Sequence, residues 1–593
     1  MTLTELYQQR TADFQQRAKA LQARYEKFGF VRLAIFIITI GLLIIVYSAS
    51  PLIGAIVTAI FLAGFYRLVQ WHQKLLHEKQ IEEALALINQ QELAFMQDDF
   101  QAFSDGKEFM DPAHPNSIDM DIFGPYSFFQ YANRTTTSMG KKRLAEYLTT
   151  VADAPEIIAR QEAIEELQGQ LEWRQKFRAH GMTTEDAPEH LDQLKKWLGQ
   201  PDFVQSNSMY KAALIIAPLL SFIGLFIWIF VWPWYFAIVF FFPAFYMLRS
   251  TLNQVNQTHV QTTNAGETLA YYAYLIEHLE DKHFQSDKLQ SLSSALDTDA
   301  KKASTRLKKL SFIIHQLNLR YNAFAVILNI FTLWDLQWVL RLERWKSEQR
   351  DDLPQWFSAL AEFEALLSFA TIYYNRPHWV FPKITNQLLL DATSLGHPLI
   401  APKDRVTNDI QIPTAGHIKL VTGSNMAGKS TFLRTVGLNI ILAMAGAPVC
   451  AKEFNLPILE LYSSMRTQDA LHESTSSFYA ELKRLKIIIE AVEEKNNVLF
   501  LMDEILKGTN SNDRHTGSQA LITQLIKSKG SGIIATHDLE LGVMEKEAGG
   551  AIENLCIEVA VENGKLTFDY KIKKGVSQSF NATLLMREMG IKV

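Results

Sequence analysis

The chain is 593 residues long, with a formal net charge of −5, 48% apolar residues, 11% aromatic residues and two cysteines. That length sets a soft prior of roughly three to four domains, and the charge excludes an overall basic signature, so any nucleic-acid contact must come from a local patch. Cys450 and Cys556 lie far apart without metal-ligand spacing and read as small core residues in a reducing compartment.

Residues 1–30 read as a polar cytoplasmic helix carrying Arg10, Arg17, Lys19, Arg24 and Lys27. Residues 31–70 hold two uncharged apolar runs, 33–47 and 52–66, joined by Ser48-Ala49-Ser50-Pro51 and closed by Arg67. With its flanks each run is about 16 to 20 residues, near the lower limit for a membrane span. The pair reads as a membrane hairpin, too long for a signal peptide and without a small-residue cleavage pattern. A second hairpin is expected over 208–250, where an apolar run between Lys211 and Arg249 is divided by Trp232-Pro233-Trp234. Basic residues flank the outer ends of both hairpins and neither turn carries one. The positive-inside rule therefore predicts a multi-pass protein of the cell (inner) membrane, with four transmembrane helices and every large segment in the cytoplasm.

The segments 71–207 and 251–385 read as helical, with apolar residues at helical spacing over 155–167. Residues 319–340 are nearly apolar enough for a fifth span, but Asn322, Asn329, Asp335 and Gln337 interrupt them, and a buried core helix is predicted instead. Lys301, Lys302, Arg306, Lys308 and Lys309 form a basic cluster. Phosphate contact is one reading of it; a solvated face, or one leaning on anionic lipid, is the other.

Residues 386–593 read as an α/β domain. The stretch Gly423-Ser424-Asn425-Met426-Ala427-Gly428-Lys429-Ser430 fits the phosphate-binding loop pattern, with an apolar strand before it and a helix pattern to about Ala445 behind it. In such a loop backbone N–H groups face phosphate oxygens, Lys429 reaches the β- and γ-phosphates, and the Ser430 hydroxyl is placed to ligate Mg²⁺. Residues 497–504 are a second apolar strand, ending in Asp503 and Glu504. Asp503 is placed to bind Mg²⁺ through water, and Glu504 to polarise the attacking water. A third, 532–537, ends in His537, placed to sense the γ-phosphate.

Between these landmarks the sequence resembles the MutS family of DNA mismatch-repair ATPases. The resemblance rests on 422–431 with its Asn425-Met426 pair and the closing Thr431, on Asp503-Glu504-Ile505-Leu506-Lys507-Gly508-Thr509-Asn510, and on Ala535-Thr536-His537. Residues 476–481 are similar to the family's trans-acting serine motif, while 133–140, Arg160-Gln161 and 360–377 resemble its helical core and levers. The family implies ATP and Mg²⁺ as cofactors, with the nucleotide held by residues 423–431. It implies catalytic roles for Glu504, His537, Asn425 and Ser476, DNA as a ligand, and a homodimer through the ATPase domains in which Ser476 completes the partner's phosphate site. Locally, Ser474-Thr475-Ser476-Ser477 reads equally well as a helix N-cap run. Ser424 replaces the family's usual proline. The mismatch-reading and connector domains are not expected here, so mismatch specificity is not part of the expectation.

The expected architecture is an α-helical core and lever domain with four transmembrane helices, followed by a P-loop ATPase domain. The expected function is a membrane-anchored, DNA-binding ATPase. The alternatives are an ABC-type transporter component, against which the absence of Leu-Ser-Gly-Gly-Gln counts, and a nucleotide-controlled membrane scaffold.

Overall fold

A computed structural model describes the chain except residues 185, 231–233, 299–300, 322–324, 425–426, 467–476, 563–564 and 579–593. Asn425, Met426, Ser476 and the expected turn Trp232-Pro233 lie outside the described residues.

The polar N-terminal stretch and the first apolar run are one helix, Leu3–Ala49, and the second run continues without a break as Pro51–Met96. Nothing in the sequence stops either helix: Thr2 and Glu5 form a reciprocal capping box at the start, and Pro51 opens the second helix at a position where its missing N–H costs nothing. At 1.5 Å per residue each helix is about 70 Å long, with its apolar run at the end next to Ser50. The residues of 33–66 are largely exposed, with Ile38 66% and Ile44 69% accessible. A second pair, Ser208–Phe230 and Trp234–Thr262, packs side by side. Among the described residues three helices are long and apolar enough to cross a membrane: Leu3–Ala49, Pro51–Met96 and Ser208–Phe230.

The single buried helix expected over 319–340 is not what forms. A helix Ala325–Thr332 meets Trp334–Gln349 at an angle of 75°, with Leu333 between them at φ 48°. The interrupting polar residues explain the bend. Asn329 Nδ2 donates to Asp335 Oδ1 (3.1 Å) and Asp335 N donates to Asn329 Oδ1 (2.9 Å), so the two side chains bridge the break and satisfy an N-terminal donor of the second helix. The first piece leaves Val326 and Ile327 exposed beside the second hairpin, while Leu333, Leu336 and Val339 are buried with Leu214, Ala217 and Met247 at the hairpin's base.

The basic cluster is largely spent on internal pairs. Lys302 pairs with Asp281 (2.7 Å), Lys308 with Glu277 (2.6 Å), and Arg306 is buried against Gln349 and Asp352.

Beyond helix Leu353–Asn375 lies the α/β part. A small sheet joins Lys383–Ile384, Glu453–Leu456, Leu389–Leu395 and Asn408–Pro413. A six-stranded sheet places Ile418–Thr422 at its centre. Ser531–Thr536 lies parallel to it on one side, then Val498–Asp503 and Glu460–Ser464. Ile552–Glu562 lies parallel to it on the other side, carrying the antiparallel edge Lys565–Lys574. The three central strands are almost wholly buried, as parallel strands covered on both faces must be. One apolar core runs from the helical segment into this domain, where Met120, Tyr147 and Ile157 are buried in the same cluster as Leu433, Val436 and Ile440.

Candidate functional site

Three neighbouring parallel strands end together at one edge of the larger sheet, and their last residues deliver the polar groups. From Thr422 the chain passes through residues 423–428 into helix Lys429–Ala445, whose N-cap is Gly428. Gly428 has φ +97°, and a Cβ there would meet the Tyr570 ring at 2.9 Å, so both conformation and space call for glycine.

Lys429 is buried and donates from Nζ to the carbonyls of Gly423 (2.8 Å) and Ser424 (3.0 Å), folding back over the loop. Burial pushes its ammonium below the ordinary value, and the carboxylates of Glu504 and Asp503 partly offset that. Ser430 donates its hydroxyl to Asp503 Oδ2, which brings the two residues of the expected cation site into direct contact. Asp503 Oδ1 is buried with no hydrogen-bond partner. A desolvated carboxylate oxygen beside a hydroxyl is the donor set a hard divalent cation takes, and the residues present fit Mg²⁺.

Glu504 follows the strand at φ 52°, a left-handed conformation costing of order 1–3 kcal/mol in a non-glycine residue. Its amide donates to Ala535 O (2.9 Å), tying it to the neighbouring strand. The carboxylate pairs with His537 Nε2 and with Lys507 Nζ (2.9 Å). Burial alone would raise its pKa, but Lys507 and His537 outweigh that and hold it below the usual carboxylate range. His537 Nδ1 lies 2.9 Å from Gly423 O and 3.4 Å from Lys429 Nζ, so the ring spans the loop and the acidic strand end.

Lys507, absent from the expected catalytic set, stands three residues after Glu504 in the turn that follows the strand, and its sequence signals were that spacing and its place in the stretch 503–510. Glu481 accepts a hydrogen bond from Leu506 N and so fixes the turn carrying Glu504 and Lys507. It sits in helix Ser477–Glu494, directly after the undescribed stretch that holds Ser476. Asp119, from the helical segment, accepts from Ser463 Oγ (2.7 Å), Met465 N (3.2 Å) and Arg466 N (3.0 Å). No local pattern could have found a contact separated by some 345 residues.

Two cavities flank these groups. One of about 540 Å³ opens beside Lys429–Phe432 and is walled by His397, Asn408 and Tyr570. The other, about 340 Å³, lies between Asp119, Arg466 and Arg484 and reaches Asp503, Glu504 and Lys507. The strand-end groups therefore separate a larger chamber on the loop side from a smaller one on the acidic side.

Residues 419–586 match the family model described as MutS domain V. The chain is 33% identical over 224 residues to the DNA mismatch repair protein MutS of Listeria welshimeri, covering 37% of this chain and 26% of that protein. It is 31% identical over 222 residues to the MutS protein of a Geobacillus species, covering 36% and 25%, and 32% identical over 224 residues to that of Bacillus cytotoxicus, covering 37% and 25%. The chain thus spans about a quarter of the length of the curated relatives it matches. The likeness is thus to MutS domain V, over the C-terminal part of the chain that carries the strand-end Lys429, Ser430, Asp503, Glu504 and His537.

Proposed function

We propose that this chain is a membrane-anchored, MutS-like ATPase that binds ATP with Mg²⁺ at residues 423–431, hydrolyses it, and uses the cycle to act on DNA. The observation that carries the ATPase reading is the convergence on one sheet edge of a buried lysine, a serine–aspartate pair with an orphaned carboxylate oxygen, and a glutamate held ionised. In this reading the loop's backbone N–H groups and Lys429 receive the β- and γ-phosphates, giving up the lysine's internal bonds to Gly423 and Ser424. Ser430 and Asp503 hold the Mg²⁺, which would neutralise charge on the phosphate oxygens. Glu504, ionised, accepts a proton from the attacking water, and His537 bridges that carboxylate to the loop. DNA enters from the printed names of the relatives, and anchoring from the three long apolar helices. A dimer in which Ser476 reaches the partner's phosphate site completes the reading.

The test uses full-length protein in detergent. Glu504→Gln should keep ATP affinity while turnover falls by about 10²–10⁴-fold, and Lys429→Ala should lose nucleotide binding. Full turnover in Glu504→Gln would remove Glu504 from the chemistry. Mixed dimers of Lys429→Ala with Ser476→Ala should regain partial activity if the serine acts across the interface. Filter binding with duplex, mismatched and branched DNA, with and without ATP, tests the DNA ligand.

A further inference from the structure

The cavity at the base of the second hairpin has no part in nucleotide chemistry. It encloses about 370 Å³ between the later turns of helix Trp234–Thr262 and the bent pair Ala325–Thr332 and Trp334–Gln349, a size typical of small-molecule sites, roughly 300–1,000 Å³. Its walls are of two kinds. Phe245, Leu248, Leu252, Val326 and Ile330 form an apolar side, and the most exposed of them, Phe245 (64%) and Val326 (65%), open onto the flank of the hairpin. The polar end holds Arg249, Arg320, Asn329 and Asp335.

Arg320 is the informative residue. Its side chain is only 9% exposed, and its one ion pair among the described residues runs from Nε to Asp335 (3.4 Å). Nη1 is buried without a hydrogen-bond partner. A guanidinium donor left unsatisfied in a desolvated site is costly, and an incoming acceptor removes that cost. Asp335 is already engaged by Asn329 on its other oxygen. Arg249, exposed at the mouth, adds a second positive charge, so the polar end carries two cations against one carboxylate.

We propose that this cavity binds one anionic phospholipid, with its phosphate on Arg320 and Arg249 and its acyl chains along Phe245, Leu252 and Val326. A free phosphate would use only the polar end and leave the apolar wall in water; an amphiphile uses both. Basic pockets beside membrane helices draw anionic headgroups, and guanidinium matches phosphate geometry bidentately. The proposal rests on the reading that the second hairpin lies in a bilayer.

The experiment is native mass spectrometry of the full-length protein in mild detergent, offered dioleoylphosphatidylglycerol or dioleoylphosphatidylcholine. Wild type should retain one phosphatidylglycerol with about tenfold preference, and inorganic phosphate should not displace it. Arg320→Gln should abolish the preference. Because that change also removes the ion pair to Asp335, two surface variants provide independent tests: Arg249→Gln should weaken retention, and Val326→Trp should block it by filling the cavity. Equal retention of the two lipids, displacement by inorganic phosphate, or unchanged retention in Val326→Trp would overturn the site. Fractionation without detergent separates this from the broader reading: protein recovered in the aqueous phase defeats membrane anchoring, whereas membrane-bound protein without lipid preference defeats only the cavity.

Discussion

Glu504 shows how the site sets the state of one group with others. Its carboxylate is partly desolvated, which disfavours charge, yet Lys507 at 2.9 Å and His537 more than compensate. A base held ionised in this way keeps its function as pH falls, and loses it only when the pH drops through the lowered pKa. Removing Lys507 removes the largest of the opposing contributions, so in Lys507→Ala the acid limb of the kcat/KM profile should move to higher pH, while Lys507→Arg should largely restore its position. An acid limb unmoved in the alanine variant would mean that another group governs it. The positions of the candidate residues that carry motifs were legible because they depend on local spacing: glycine where the chain must curl, lysine and serine at the helix start, carboxylates where an apolar strand ends. Asp119 was not, because what defines it is a partner brought in by folding, some 345 residues along the chain.

At the scale of elements, apolar runs located the helices but not their lengths. The run over 33–66 marks where a helix becomes apolar; Gly29 does not interrupt the first helix, and each helix continues into a long polar arm. The bend at Leu333 was hidden for the opposite reason: it has neither proline nor glycine, and only the Asn329–Asp335 bridge reveals it. The polar arms converge on a buried network. Glu92, from the second arm, takes a two-point pair from Arg134 at 2.7 and 3.0 Å and further bonds from Arg178 (3.2 Å) and Asn375 (2.8 Å). Burial would raise the Glu92 pKa, but Arg134 above all outweighs it and the value is lowered. Its contribution to stability is therefore present above the unfolded carboxylate value and is lost as pH falls through the lower folded one. Arg134→Ala leaves the carboxylate buried with less compensation and should cost about 3–5 kcal/mol. Chemical unfolding at neutral pH checks this, and the deficit should shrink under acid conditions that protonate Glu92. A deficit independent of pH would assign the loss to packing of the arginine over Phe103 rather than to charge.

Across the whole molecule, that network is where the first hairpin meets the α/β domain. Helix Leu353–Asn375 is the last helix before the α/β part, and its final residue, Asn375, is buried. Tyr7, from the first arm, donates its hydroxyl to Asn375 Oδ1 (2.7 Å), and Asn375 Nδ2 donates to Glu92 on the second arm. Arg376 follows, donating to Tyr131 Oη (2.8 Å) and pairing with Asp98 just past the end of the second arm (3.3 Å). Both arms of the hairpin thus stand on the joint through which the α/β domain connects to the helical core. The second hairpin packs on the bent pair 325–349, where Leu214, Ala217 and Met247 are buried with Leu333, Leu336 and Val339. On the proposed function, movement of the α/β domain on ATP binding would be felt first by the long arms. Hydrogen exchange on the Glu504→Gln protein, comparing ATP-loaded and ADP-loaded states, should show a change in protection over residues 85–96 and 371–376. In the same background Tyr7→Phe removes one buried hydrogen bond, worth about 1 kcal/mol, and should speed exchange at 371–376 about fivefold while leaving 418–422 unchanged. It should also reduce the ATP-dependent difference at 85–96, because the link from the first arm has been cut. Identical protection of residues 85–96 in the ATP- and ADP-loaded protein, with Tyr7 intact, would show that the hairpin anchors the ATPase without sensing its state.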